Sequence, residues 1–436
     1  MKLNFNTISG APVLVLVFLI NIFFTNLNLN LNPTFAFFIF YGGFYIIIEL
    51  YKGKKLNSLN LNVFLLHFFL IIYAFFTYYF FELDLAERDN SNWWRLDSSS
   101  KFLAVMIAAL VIILSPYEKI IKSLLIIRNF SYLLIIGSFF YYFLPSLGIT
   151  FLSSDELAGS RYNGGINSYI LTGQFIIAGF ISHLALNKNL NFYNTLISVF
   201  FYSFAIVATK DRTSIGAMLI IYLFLFLRSG FGVSPFNFKL NKLLVIFLLI
   251  PFILGLGFVQ IQNINSGNLE FYKSTFHRAA ITIRSYELFK EVMPAGAGPG
   301  SQAYLMLNDK IKANFIDDKN IENSISLELI RNIEGLHGNV GSGLPLSPHN
   351  TYFDFLIPFG LAGLIFISLI IFTQLKSLKR LIFNKKNPSI FVDVYLVSGI
   401  FFFMFSSLFN VWWLYIIFYR LFIFIKSPPI KNSLNV

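Results

Sequence analysis

The chain has 436 residues, of which 56% are hydrophobic, 55 are Phe and only 12% are charged, with a formal charge of +12 and no Cys. A soluble domain carries about twice that share of charged residues. The composition therefore excludes an ordinary soluble enzyme, and the missing Cys excludes disulfides and thiolate metal sites. What is left is an all-α, polytopic membrane protein.

A helix needs roughly 20 apolar residues to cross a bilayer, and about twelve stretches qualify. In chain order they are 8–25, 33–51, 62–82, 101–116, 124–145, 165–186, 193–209, 214–228, 241–261, 351–373, 389–408 and 410–426. The first run follows Lys2 and lacks a small-residue cleavage site, so it is expected to be retained as a span. Residues 1–261 are thus expected to form nine spans and 351–436 three more, with one large loop over 262–350 between them, in one functional membrane domain. Under this reading one set of loops carries Lys52, Lys54, Lys55, Lys119, Lys122, Arg128, Lys188, Arg228, Lys239, Lys242, Lys376, Lys379, Arg380, Lys385 and Lys386. The opposite loops balance their bases with acids, as Glu82, Asp84, Glu87 and Asp89 do against Arg88 and Arg95. This positive-inside bias puts both termini in the cytoplasm. The basicity then reports orientation, and no nucleic-acid partner is expected.

Three non-cytoplasmic loops carry chemistry-bearing residues. The 146–164 loop holds Asp155, Glu156 and Arg161, where phosphate contact and plain surface charge are equally open. The Thr209-Lys210-Asp211-Arg212-Thr213 loop holds two cations beside one acid between two spans, either as a fixed anion site or as an Arg–Asp pair ending two helices. The 262–350 loop is too long to be a mere connection. Apolar positions at helical spacing predict helices over Phe271–Met293 (Phe276, Ala280, Ile283, Phe289) and Ile321–Ile333, the latter closed by Gly335. Between them, Pro294 to Gly300 forms a turn-rich break, to be read as a hinge or, less readily, as a phosphate cradle.

Ser347 and Pro348 suit the N-cap and first position of a helix, which would put His349 in the first turn of the tenth span. The positive end of a helix disfavours imidazolium and attracts phosphate, leaving a neutral ring able to accept a proton. Gly360 follows three turns later on the same face, and with Gly363 it would permit close approach of a neighbouring helix. The plainer alternative is an interfacial His at a helix start. Arg284 and Leu288 share a face at i,i+4, as does His277, and the guanidinium fork suits phosphate oxygens. Arg278 points to another face and suits lipid headgroups. His67, His183 and His337 have no partners at metal-ligand spacing, so no metal is expected. Asp354 fits a helix N-terminal acid, and Arg420 is expected to snorkel towards the Lys426 end of the last span.

Taken together these residues resemble the O-antigen ligase and O-antigen polymerase superfamily of bacterial envelope glycosyltransferases. His349, Asn350, Gly360 and Gly363 match its His-[Asn/Ser/His]-x9-Gly-x-x-Gly signature, and Arg284 with Leu288 matches its Arg-x-x-x-Leu signature. Arg212 corresponds to the Arg of a short outer loop, in a Thr-Lys-Asp-Arg context where the family often has Thr-x-Ser-Arg. The resemblance is strongest over about 160–375. It implies a large periplasmic loop, residence in the bacterial inner membrane, a periplasmic active site and no cofactor. It also implies transfer of an undecaprenyl-diphosphate-linked glycan to a hydroxyl of a lipid A-core sugar or of a second lipid-linked glycan, in contact with membrane lipids. His349 would be the general base, with Arg212 and Arg284 at the departing diphosphate. Arg161, Lys210, Arg278 and Asn350 would contact substrate, with Leu288, Gly360 and Gly363 as structural members. The single dominant loop favours the ligase branch over the polymerase. A flippase or other transporter would instead show mid-bilayer charges and a repeat of two halves, and a membrane-bound acyltransferase would not need Arg on two outer loops.

Overall fold

A computed structural model describes residues 9–24, 33–53, 56, 58–80, 91–143, 162, 169–187, 192–230, 282, 285–301, 350–383, 390–405 and 412–426. Among these residues the secondary structure is helical, with no strand. The helices are α1 (Ala11–Phe24), α2 (Pro33–Tyr51), α3 (Ser58–Phe80), α4 (Ser91–Leu114), α5 (Tyr117–Phe143), α6 (Tyr169–Leu186), α7 (Phe192–Thr209) and α8 (Arg212–Gly230). They are followed by α9 (Thr351–Phe383), α10 (Ile390–Phe405) and α11 (Trp412–Lys426). Each overlaps one of the expected spans; the expected span 241–261 lies outside the described residues. Four of them, α2, α3, α5 and α9, contain windows long and apolar enough to cross a membrane.

Their surfaces suit lipid. Phe40, Phe44, Phe68, Phe69, Phe75, Phe76 and Phe372 are all exposed, Phe40 at 78%, which water would penalise as an apolar patch. Inside, Phe18 of α1 meets Trp413 of α11 at 5.0 Å and Phe175 of α6 at 5.8 Å. Where helices lack a solvent-driven reason to associate, small residues let them close up. Gly173 of α6 lies against Ser214 of α8, where a Cβ would stand 2.6 Å from the Ser214 Cβ and so could not fit.

The corner between α4 and α5 marks one end of the bundle. Ser115 precedes Pro116, a position biased away from helix, so α4 stops at Leu114. Ser115 Oγ returns to Val111 O at 2.8 Å and accepts the Ala11 N–H at 3.1 Å. At this end Lys119 donates to Ser9 Oγ, and Arg420 Nη2 donates to Ser115 O at 3.0 Å. Arg420 is therefore not a snorkelling cation. It is 3% exposed and satisfies a carbonyl just past the C-terminus of α4, where a cation is favoured. Nearby, Arg380 of α9 grips the buried Asp393 of α10 through Nε at 3.2 Å and through Nη2.

Pro299 reaches the first half of α4 and the end of α3, while Tyr162 reaches the last turns of α5 and the end of α7. Since α4 ends and α5 begins at Ser115–Pro116, both contacts lie at the opposite end of the bundle. Ser99 to Leu114 spans about 23 Å along α4.

Candidate functional site

Two of the three expected chemistry-bearing loops are described at this opposite end, the turn between α7 and α8 and the start of α9. The first is built around Asp211. Its backbone carbonyl accepts Ile215 N–H at 3.0 Å, and its carboxylate accepts the N–H groups of Thr213 at 3.3 Å and Ser214 at 2.9 Å and the Ser214 hydroxyl at 2.5 Å. That is an N-cap. Asp211 is 2% exposed, so the acid is spent on the helix end, rather than joining two helices through an ion pair. Thr209 Oγ1 accepts the Asp211 N–H at 3.2 Å and closes the turn. Lys210 takes φ +50°, a left-handed conformation costing an L-residue roughly 1–2 kcal/mol. Lys210 and Arg212 are both exposed, so they flank the buried cap and face outward from it.

Tyr162 fastens the segment before α6 to this turn. Its N–H donates to Ala208 O at 3.1 Å, and its phenol donates to Leu134 O at 2.7 Å. Burial raises the phenol pKa, which keeps it a donor. Arg161 precedes Tyr162 in the chain and lies outside the described residues.

The second loop corrects the expectation for the tenth span. Its helix starts at Thr351, not at Pro348, and its cap is Asn350, not Ser347. Asn350 Oδ1 accepts Tyr352 N–H at 2.9 Å, and Asn350 O accepts Asp354 N–H at 3.2 Å. Asn is among the best caps; Ser347 and Pro348 lie outside the described residues. His349 comes directly before this cap in the chain and lies outside the described residues, as do Arg284, Arg278, His277 and His337. Asp354 is buried in the first turn of α9, as a helix N-terminal acid should be.

Gly360 is also corrected. It takes φ 51° and ψ −123°, so α9 is broken there and no continuous helical face runs from its start to Gly360. Pro358 is the cause: it has no N–H and its ring clashes with the preceding turn. The break is filled by the Pro294–Gly300 turn. In an unbroken helix Leu361 N–H would donate to Ile357 O. Instead it donates to Pro294 O at 2.9 Å, and Ile357 O accepts Ala297 N–H at 3.0 Å. Pro358 O accepts Gly298 N–H at 2.9 Å. Backbone opened at this depth must be satisfied by protein, and the turn supplies both donors and acceptor. Tyr73 of α3 donates to Ala295 O at 2.6 Å, and Ser99 of α4 donates to Pro299 O at 3.1 Å.

The turn is therefore not an open phosphate cradle. Its Gly296, Ala297 and Gly298 N–H groups are taken by the carbonyls of Val292, Ile357 and Pro358. The glycines allow this approach: a Cβ on Gly360 would lie 2.6 Å from Gly296 N, and one on Gly296 would lie 2.6 Å from Phe359 N. Gly360 thus receives a turn rather than a neighbouring helix. Gly363 faces the Phe355 carbonyl of its own kinked helix.

Just before this turn, residues 285–292 are helical, within the expected Phe271–Met293. Ser285, Leu288 and Val292 form the buried face. Leu288 is 0% exposed, so its role is to seat this helix, and Arg284 stands one turn earlier in the sequence. Lys290 pairs with Glu287 at 2.7 Å on the exposed side, and this hydrogen bond raises the Lys290 pKa. The expected helix Ile321–Ile333 lies outside the described residues.

The remaining described histidines are structural. His67 accepts the Trp412 indole N–H at 3.0 Å and pairs with Val63 O at 2.8 Å. His183 is held by Tyr132 at 2.7 Å and Ser198 at 2.9 Å. Reading residue types alone missed Tyr73, Ser99 and Tyr162, whose hydroxyls hold the loops in place. Pro358, two residues before Gly360 inside an apolar span, is the signal that marks the break. Comparison with protein-family models, with curated proteins and with solved structures returned no match.

Proposed function

We propose that this chain is a membrane glycosyltransferase of the O-antigen ligase type. It would move an undecaprenyl-diphosphate-linked glycan to a sugar hydroxyl at the periplasmic face of the bacterial inner membrane. The acceptor hydroxyl attacks the anomeric carbon, the bond to the lipid diphosphate breaks, and His349 takes the hydroxyl proton as general base. Arg212 and Arg284 stabilise the diphosphate as it leaves, work suited to fixed guanidinium groups in a partly desolvated site. Arg161, Lys210, Arg278 and Asn350 line the approach of the donor.

The observation that carries this reading is the sharing of one bundle end by two capped helix starts. One is Asp211–Arg212 of α8, and the other is Asn350 of α9, immediately after His349. The other end holds Lys52, Lys119, Arg380 and Arg420, the side that positive-inside bias assigns to the cytoplasm. Asp211 also accounts for the departure from the family's Thr-x-Ser-Arg. Asp and Ser are equivalent N-caps, so either holds the following Arg as the first residue of the helix. A cation there opposes the helix dipole by roughly 0.3–1 kcal/mol, and an exposed guanidinium at a helix start is well placed to meet an anion. Lys210, in a strained backbone conformation beside it, fits the same use.

The test is transfer by purified protein given a polyprenyl-diphosphate glycan and, separately, a lipid A-core acceptor or a second lipid-linked glycan, in buffer containing EDTA. Core-linked product that disappears in His349→Ala, with insertion intact, supports the ligase reading. Product only on the lipid-linked glycan moves the assignment to the polymerase. Wild-type rates from His349→Ala overturn the base assignment.

A further inference from the structure

A second feature, remote from the proposed site, is a cavity of about 540 Å³ between α3, α9 and α11. Its upper wall is apolar, with Leu65, Phe69, Phe366, Leu369 and Trp412 among its residues, and its lower wall turns polar at Thr373, Lys376 and Arg380. On α9 these last three follow at helical spacing, so one face changes from hydrocarbon-like to cationic over about 21 Å between Phe366 and Arg380. The polar end is the Ser115 end, because Arg380 stacks at 4.0 Å on Phe422, close to Arg420 in α11. Leu65, Phe69, Leu369 and Phe372 of the same wall are exposed on the lipid-facing side, so the cavity opens laterally.

Two features fix the charge of the occupant. The Asp393 carboxylate engages Nε and Nη2 of Arg380, while Nη1 has no hydrogen-bond partner. Lys376 is exposed one turn away and lines the same wall. A chain of hydrocarbon above and an anionic group below would complete both walls. We infer that this cavity is a binding site for an anionic glycerophospholipid of the leaflet facing the bundle's basic end, with one acyl chain along Phe366 and Leu369 and its phosphate at Lys376 and Arg380. A regulatory or stabilising lipid is meant here, not the glycan donor. The inference depends on the membrane setting alone and stands or falls independently of glycan transfer.

The probes are dioleoyl-phosphatidylglycerol and dioleoyl-phosphatidylcholine, mixed with detergent-purified protein and counted as retained lipids by native mass spectrometry. Phosphatidylglycerol should be retained at least about fivefold better, the ratio expected from one cation near a lipid phosphate. Lys376→Gln should erase that preference, and Lys379→Gln, on the same helix outside the cavity wall, should leave it. Leu369→Trp, which fills a lipid-facing position of the cavity, should abolish retention of the tightest phosphatidylglycerol without unfolding the protein. Equal retention of the two lipids overturns the inference, as does a preference shared equally by the two Lys variants or unaffected by Leu369→Trp. Displacement of phosphatidylglycerol by a polyprenyl phosphate at equal concentration would also overturn it, because the cavity would then belong to the donor.

Discussion

Replacing Gly360 by Ala should undock the Pro294–Gly300 turn from the break in α9. At φ 51° the new Cβ costs about 1–2 kcal/mol in backbone strain. It would also lie 2.6 Å from Gly296 N and 2.8 Å from Ala295 C, closer than backbone atoms tolerate. If the turn retreats to make room, the bonds Leu361 N–Pro294 O, Ala297 N–Ile357 O and Gly298 N–Pro358 O are lost, at about 1 kcal/mol each. The combined loss is about 4–5 kcal/mol, which raises the population of the undocked turn at least about a hundredfold. The chain has no Cys, so a single reporter thiol is unambiguous. Ser301 is 0% exposed and its hydroxyl bonds to Gly298 O inside the turn. In Ser301→Cys, maleimide labelling should be slow, and adding Gly360→Ala should speed it by about two orders of magnitude. Gly43→Ala is the control, since nothing stands within 4 Å of a Cβ there. A labelling rate within about twofold of the parent in Gly360→Ala would refute the plug.

Three further outcomes can be checked alongside. Asp211→Ala should lower stability by about 1 kcal/mol or more, because the N–H groups of Thr213 and Ser214 lose their acceptor, whereas Asp211→Ser should stay near the parent; thermal unfolding in detergent distinguishes them. Asp393→Ala should cost about 3–5 kcal/mol by leaving Arg380 buried without its partner, read as a fall in unfolding temperature, and the double variant with Arg380→Met should recover much of it. Arg284→Lys should slow glycan transfer in the purified assay, since a point charge does not replace a planar fork on a diphosphate; full activity would reduce Arg284 to a structural residue.

The helices were legible because each is a long apolar run, and hydropathy reports those directly. It reports less well where a helix extends beyond lipid. The fourth expected span began at 101, yet α4 starts at Ser91; the tenth was to end at 373, yet α9 continues to Phe383. In the latter case polar residues keep the helix going, with Arg380 secured by Asp393 and Ser377. Local composition also misjudged the start of α9. Ser347-Pro348 is an acceptable helix start and Asn350 an equally good cap, and two acceptable starts three residues apart cannot be ranked by type alone. The plug was the least legible feature. Pro358 and Gly360 forecast a break in α9, and Pro294 to Gly300 forecast a turn, but their docking depends on backbone groups about 60 residues apart that carry no side-chain signature.

The two caps have a consequence for how the proposed site would hold an anion. A helix N-terminus usually binds phosphate through its free N–H groups. Here the Thr213, Ser214 and Tyr352 N–H groups are already committed to Asp211 and Asn350, and in the Pro294–Gly300 turn those of Ala297 and Gly298 go to α9 carbonyls and that of Gly296 to Val292 O. Backbone donors therefore offer little help at this end, and a diphosphate must be met by side-chain cations. Arg212→Gln should then lower glycan transfer by about 10²-fold or more, as loss of a principal transition-state donor does. The same change relieves the unfavourable charge at the positive end of α8 by roughly 0.3–1 kcal/mol, so the unfolding temperature should move far less than the activity. Activity falling while stability does not separates a role at the substrate from a role in packing. A parallel fall in both would place Arg212 among the residues that merely hold the bundle together, and the glycan-transfer reading would lose its described guanidinium.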